Sequence, residues 1–223
     1  MSNASTNVLI DRIPVGRSVA TDLIWVVAFS LVTAACAQIG FHLSYTPVPI
    51  TGQTFAVLLS GAVLGWRRGF LSQVAYLAEG AAGFPVFADG AGSVLHLVGP
   101  SGGFLLCFPL AAALVGFLVE SGSARSGWKT AWALASADLL ILVGGAAWLR
   151  LLFHVSNSQA GLLGFCPFLL AEVAKVTLVA RTLPRVIRWS DAHMAEASTS
   201  PAHAPSSLPS EHFDVDPRET SDR

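Results

Sequence analysis

The chain has 223 residues, of which 53% are hydrophobic and 12% charged, with a formal net charge of −1. Soluble domains carry about 25% charged residues, so half that fraction excludes an ordinary soluble body and points to one set in lipid. No basic cluster is large enough to track a phosphate backbone, so no nucleic-acid partner is expected.

Taken in order, residues 1–20 are polar and read as a short cytoplasmic arm. Asp11, Arg12, Pro14, Arg17 and Asp22 break the stretch before any apolar core begins, which does not fit a cleavable leader. A membrane domain is expected over residues 21–189, and a disordered cytoplasmic tail over 190–223, where Ser, Pro, His and acids replace aliphatics. The first spanning helix is predicted from about Leu23 to Leu43, close to the ~20 residues a bilayer core needs. One of its faces carries Ser30, Thr33, Ala34 and Ala37 at three- and four-residue spacing. Such a stripe lets helix backbones approach closely, either a partner's helix or a neighbour in the same chain.

Two short apolar runs follow, Phe55 to Leu64 and Phe70 to Ala82, split by Trp66-Arg67-Arg68-Gly69. Each spans only ~15–20 Å, less than the ~30 Å hydrocarbon core. Short helices flanked by Gly and Pro are where transporters place binding sites. The stretch from Phe84 to Gly103 holds Gly90, Gly92 and Gly99, two prolines and no Lys or Arg. Backbone that leaves helix at this depth must be buried in protein or line a cavity, unless the loop is simply solvated.

A fourth helix is expected from Phe104 to Val119 and a fifth from Trp128 to Phe153, with Asp138 in its middle. A sixth runs from Pro167, where a missing N–H is tolerated in the first turn, to Leu183 before Pro184. Basic residues occupy alternate connections: Arg12 and Arg17; Arg67 and Arg68; Arg125 and Lys129; Arg181, Arg185 and Arg188. Loops 44–54, 84–102 and 154–160 have none. Six spanning helices with both termini cytoplasmic satisfy that pattern, and the basic-free loops then face outward.

Three outward loops carry a distinctive set of strings: Tyr45-Thr46-Pro47-Val48-Pro49-Ile50-Thr51-Gly52-Gln53-Thr54, Glu79-Gly80-Ala81-Ala82-Gly83-Phe84-Pro85-Val86-Phe87-Ala88-Asp89-Gly90-Ala91-Gly92, and Gly99-Pro100-Ser101-Gly102-Gly103-Phe104-Leu105. Together with Pro167-Phe168 followed by Glu172 and Lys175, they resemble the biotin-specific membrane subunits, BioY, of energy-coupling-factor transporters. The resemblance covers roughly Trp25 to Leu183. It implies an all-α integral membrane protein, a six-transmembrane-helix bundle with its ligand cavity near the extracellular side, in a bacterial cytoplasmic membrane. The implied partners are biotin, a transmembrane coupling subunit and ABC-type ATPases. No cofactor is expected, and ATP is left to those partners. The family's docking stripe maps to Ser30, Thr33, Ala34 and Ala37.

Glu172 and Lys175 stand three apart and so share a helix face. Ionisable groups at such depth usually face a cavity, although a mutually neutralising ion pair, or a pair of Lys175 with Asp138, is the plain structural alternative. Glu172 is suited to accept from the two ureido N–H groups of biotin. Lys175 is suited to donate to the ureido carbonyl or to pair with the valerate carboxylate. Thr51 and Gln53 would reach a ligand from the first loop, or else cap the second helix. Asp89, near the family's ligand-binding asparagine, and Ser101 and Gly103 complete the expected set.

No phosphate-binding loop, nucleophile elbow or zinc-hydrolase motif occurs, so the chain is not expected to be an enzyme. The alternatives are a solitary biotin facilitator and, more remotely, an intramembrane hydrolase using Ser101 and His96. Cys36, Cys107 and Cys166 lie in apolar stretches at no metal-ligand spacing and are expected to be packing residues.

Overall fold

The computed structural model describes residues 18–122 and 126–199. Among these residues eight α-helices and one short hairpin are formed: α1 Val19–Ala37, β1 Gly40–Phe41, β2 Ile50–Thr51, α2 Gln53–Leu64, α3 Trp66–Ala81, α4 Val94–Val98, α5 Gly102–Glu120, α6 Gly127–Phe153, α7 Asn157–Gly164 and α8 Cys166–Thr199. The residues 1–17 of the expected arm, residues 200–223 of the expected tail, and Arg12, Arg17 and Arg125 lie outside the described residues.

The first helix begins earlier than its apolar run because Ser18 caps it, accepting a hydrogen bond from the Thr21 N–H. It ends at Ala37, six residues before the expected Leu43. Gln38 turns the chain out of the helix, and β1 then pairs antiparallel with β2, Gly40 opposite Thr51 and Phe41 opposite Ile50. The Trp66-Arg67-Arg68-Gly69 string is not a loop but the first turn of α3. Gly65 makes the corner instead, with φ 83°, a conformation only glycine adopts readily. The corner packs on α5 because Gly116 has no side chain there; a Cβ would run into the Gly65–Trp66 backbone.

Polar contacts fix which ends lie together. Arg68 pairs with Asp22 at 2.8 Å, and the Trp66 N–H donates to Glu120 Oε1 at 3.0 Å. The start of α1, the α2–α3 corner and the end of α5 therefore share one end of the bundle. At the opposite end the Gln38 amide donates to Phe87 O and accepts from the Gly90 N–H, both at 3.0 Å. Trp148 donates to Gly99 O at 2.9 Å, and Thr46 donates to Leu163 O at 2.6 Å. All three basic-free loops gather at this second end.

The central helices α5 and α6 are the most intimately packed pair, with Phe104, Phe108, Val115, Leu134, Ile141 and Leu149 in the core. Their outward residues are also apolar, among them Leu106, Leu110, Phe117, Leu139, Val143 and Leu151. A helix apolar all round belongs in lipid or in a large core. By length and hydropathy α1, α5 and α6 are each able to cross a membrane, and α7 with α8 up to Leu183 is apolar enough only as a pair bent by 45°, the form of a broken span or of a re-entrant loop. The bend falls at Phe165. Ser156 and Gln159 form a capping box that starts α7 within what the sequence suggested was a loop, and Pro167 sits in the first turn of α8.

Two further expectations are corrected. The last helix does not stop at Leu183 but continues through Pro184 to Thr199, so the tail expected from residue 190 starts as helix. Proline removes one backbone donor and strains the turn before it, yet a long helix can absorb that by bending. The second correction concerns the Ser30, Thr33, Ala34, Ala37 stripe, which is buried inside the molecule rather than offered to a partner. Ser30 donates to Glu79 Oε1 at 2.8 Å, and Thr33 meets Gln73, whose amide also reaches Ser60 and Ser72. The stripe packs α1 on α3, since small residues let polar side chains on the two helices pair away from lipid.

Candidate functional site

Lys175 and Glu172 lie one helical turn apart on α8, and α2 enters beside them from the hairpin. Lys175 Nζ donates to Glu172 Oε1 at 2.7 Å, to Thr51 O at 2.7 Å and to Thr54 Oγ1 at 2.8 Å. Thr54 in turn donates to the Glu172 carboxylate, lying 2.9 Å from each oxygen. Glu172 is only 2% exposed and the Lys175 side chain 17%. A charge held this far from water requires a partner and further hydrogen bonds, and the threonine and the loop carbonyl supply them. Asp138 from α6, 5% exposed, is within electrostatic and hydrogen-bonding reach of Glu172 and within electrostatic reach of Lys175. Three ionisable groups from two helices thus share one buried centre.

Thr51 contributes in two directions. Its carbonyl receives Lys175, and its hydroxyl donates to Gln53 Oε1 at 2.9 Å. The Gln53 amide continues to the Tyr76 hydroxyl, which donates to Val86 O at 3.1 Å. Tyr76 is fully buried, edge-on to Phe87 at 5.5 Å and stacked with Phe108 at 6.5 Å. A hydrogen-bonded path therefore runs from the ion pair through the first loop to the second. The N-cap of α2 is Gly52, with no side-chain cap, so the capping alternative for Thr51 and Gln53 reduces to a long contact of 3.3 Å from the Gln53 N–H to Thr51 Oγ1.

Of the residues expected from sequence, Glu172, Lys175, Thr51 and Gln53 are brought together. Asp89 is not. It sits on the 3-10 turn Ala88–Gly90 with φ 59°, its side chain 66% exposed and paired with His42 at 3.1 Å on the outer surface. Gly103 is buried where α5 meets α6, and a Cβ there would run into the Trp148 side chain, so its role is close packing. Ser101 precedes α5 and makes no cap hydrogen bond. His96 stacks on Phe87 at 5.1 Å, where burial lowers its pKa from the ordinary value against the pull of Asp89. No hydrogen bond joins His96 to Ser101 among the described residues, which leaves the hydrolase alternative without its base–nucleophile contact. Thr54 is the residue that sequence reasoning passed over. Its signal was a hydroxyl one turn beyond Thr51, at the mouth of an apolar helix.

The sequence profile of the BioY family matches residues 4–192. A probable biotin transporter BioY of Pyrococcus horikoshii is 36% identical over 156 residues, spanning 70% of this chain and 90% of the relative. Biotin transporter BioY2 of Lactococcus lactis subsp. cremoris is 40% identical over 135 residues, 59% of this chain and 72% of that protein. Among solved structures, the S-component for biotin from an ECF-type ABC transporter superposes with a TM-score of 0.70 at 21% identity. That likeness covers 78% of this chain and 95% of the other, and it establishes the shared fold. With a profile match over most of its length and relatives at this identity, the chain belongs to the BioY family, whose relatives named above are biotin transporters.

Proposed function

We propose that this chain binds biotin and brings it across the cytoplasmic membrane as the substrate-specific subunit of an energy-coupling-factor transporter. The observation that carries the reading is the buried Glu172–Thr54–Lys175 cluster, closed by a loop carbonyl, in a chain of this family. Biotin offers two ureido N–H donors to an acidic acceptor, while its ureido carbonyl and its carboxylate both suit an ammonium. Six spans are assigned: α1, α2, α3, α5, α6 and the bent α7–α8 pair. The shorter α2 and α3 are sheltered by α1 and α5. The end holding Arg67, Arg68 and Lys129 is assigned to the cytoplasm, as the distribution of basic residues requires, and the loop-bearing end faces outward.

The test is competition against labelled biotin on the purified chain. Desthiobiotin keeps the ureido ring and is expected to compete. An aliphatic acid of similar length, riboflavin and thiamine are expected not to, because a site built to hydrogen-bond a polar group discriminates strongly against ligands that leave it unpaired. Equal competition by the two vitamins would remove biotin from the proposal.

Energy coupling is a separate expectation. Binding alone equilibrates a solute, and the sequence holds no phosphate-binding loop, so ATP hydrolysis is assigned to partner subunits. In proteoliposomes, biotin is expected to accumulate against its gradient only when the coupling subunit and ATPases are present. Accumulation by the chain alone under a proton gradient would make it a solitary, proton-coupled carrier.

A further inference from the structure

Most polar atoms of the buried acidic centre are accounted for, and one is not. The Glu172 oxygens are served by Thr54 and Lys175, and the Lys175 ammonium has three acceptors. Asp138 Oδ1 is buried with no hydrogen-bond partner among the described residues, although the side chain stands within reach of Glu172. Only one other buried side-chain oxygen among the described residues shares that condition, Glu79 Oε2, and Glu79 is only partly buried and holds Ser30 through its other oxygen. Buried polar groups in folded proteins are nearly always paired, and an orphaned acceptor on a carboxyl group is among the least favourable exceptions. Ionisable residues at membrane depth characteristically face a cavity or a transport path. Asp138 comes from α6 and Glu172 from α8, so the two carboxyl groups are carried on separate helices.

We infer that Asp138 is a ligand-binding residue, and that its free oxygen accepts one of the two ureido N–H groups while Glu172 accepts the other. The inference rests on the biotin reading and deepens it. The two N–H groups of a cyclic urea point away from each other across the ring. One carboxylate on one helix serves such a pair less well than two on separate helices. A ligand with a single donor, or with two donors on one atom, does not satisfy both acceptors at once. Asp138 is therefore the residue that selects a cyclic urea over a simple amide.

The experiment pairs changes in the residue with changes in the ligand. Biotin and its two isomers methylated on one or the other ureido nitrogen are titrated into wild type, Asp138→Leu and Asp138→Asn. Leucine is nearly isosteric and removes both acceptor oxygens. The expected result is a loss of biotin affinity of roughly 10- to 100-fold in Asp138→Leu. One methyl isomer, already weakened in wild type by a similar factor, should lose no more than about threefold on the same substitution, because its contact to Asp138 is already gone. Asp138→Asn keeps the shape and a weaker acceptor. It carries the measurement if the leucine variant does not fold, with the same pattern at a smaller factor. A purely structural role for Asp138 would weaken all three ligands by one common factor, and that overturns the inference. So does an unchanged biotin affinity in variants that remain folded. Wild-type protein that binds none of the three ligands overturns the biotin reading and this assignment together, whereas wild-type binding with no Asp138 dependence overturns the assignment alone.

Discussion

Lys175→Ala is expected to weaken biotin binding by about 2–5 kcal/mol, the range seen when one partner of a buried, hydrogen-bonded charge is truncated. The lysine has three acceptors within 2.8 Å, drawn from α8, α2 and the hairpin. Its removal strips Glu172, 2% exposed, of its only cationic hydrogen-bond donor among the described residues. It also frees the Thr51 carbonyl, so the first loop keeps only the Thr54–Glu172 hydrogen bonds to α8. Stability should therefore fall along with binding, and affinity must be measured per folded molecule, with the thermal midpoint taken on the same sample. If Lys175 only neutralises Glu172, affinity per folded molecule stays near wild type while the midpoint drops. The double change Glu172→Gln with Lys175→Met separates the two further. Removing both buried charges together can be nearly neutral for folding. It is expected to spare the midpoint far more than it spares binding. Near-wild-type affinity in that double variant would remove the ion pair from the binding site.

How much of this centre could be read from the chain depended on the range of the interactions. Glu172 and Lys175 were legible because two ionisable residues three apart in an apolar run are conspicuous and must share a face. Thr51 was legible as a loop hydroxyl, but its contact with Lys175 is made by the backbone carbonyl, which no side-chain pattern reveals. The Asp138 contact depends on how α6 and α8 are set relative to each other, and the sequence left the start of the last helix open. Asp89 failed for a different reason. Its neighbourhood resembles the family's loop, yet a positive φ turns its side chain outward to His42. The helix breaks followed the same division. Gly65 was hidden beside a run of Arg that looked more like a turn, and it is the glycine that bends the chain.

Replacing Ser30 and Ala34 together by tryptophan is expected to destroy the fold, and with it both biotin binding and uptake. Ser30, without exposed surface, holds Glu79 of α3, and Ala34 lies within the main core. Modest overpacking of a core costs about 1–3 kcal/mol, and two indoles between closely approached helices exceed that by a wide margin. The substitution also breaks the Ser30–Glu79 hydrogen bond, leaving both Glu79 oxygens without it in a region where one is already unpaired. A docking surface would behave otherwise, since a bulky residue there blocks the partner and leaves the ligand site untouched. Leu31, next to the stripe on α1 but 55% exposed, provides the control. Leu31→Trp should fold and bind biotin like wild type, whether or not coupled uptake survives. The two variants are compared by size-exclusion profile, thermal midpoint and biotin affinity in detergent. If the Ser30, Ala34 double variant stays folded, binds biotin normally and loses only ATP-driven uptake, the stripe faces a partner after all. The α1–α3 packing would then have to open in the working complex.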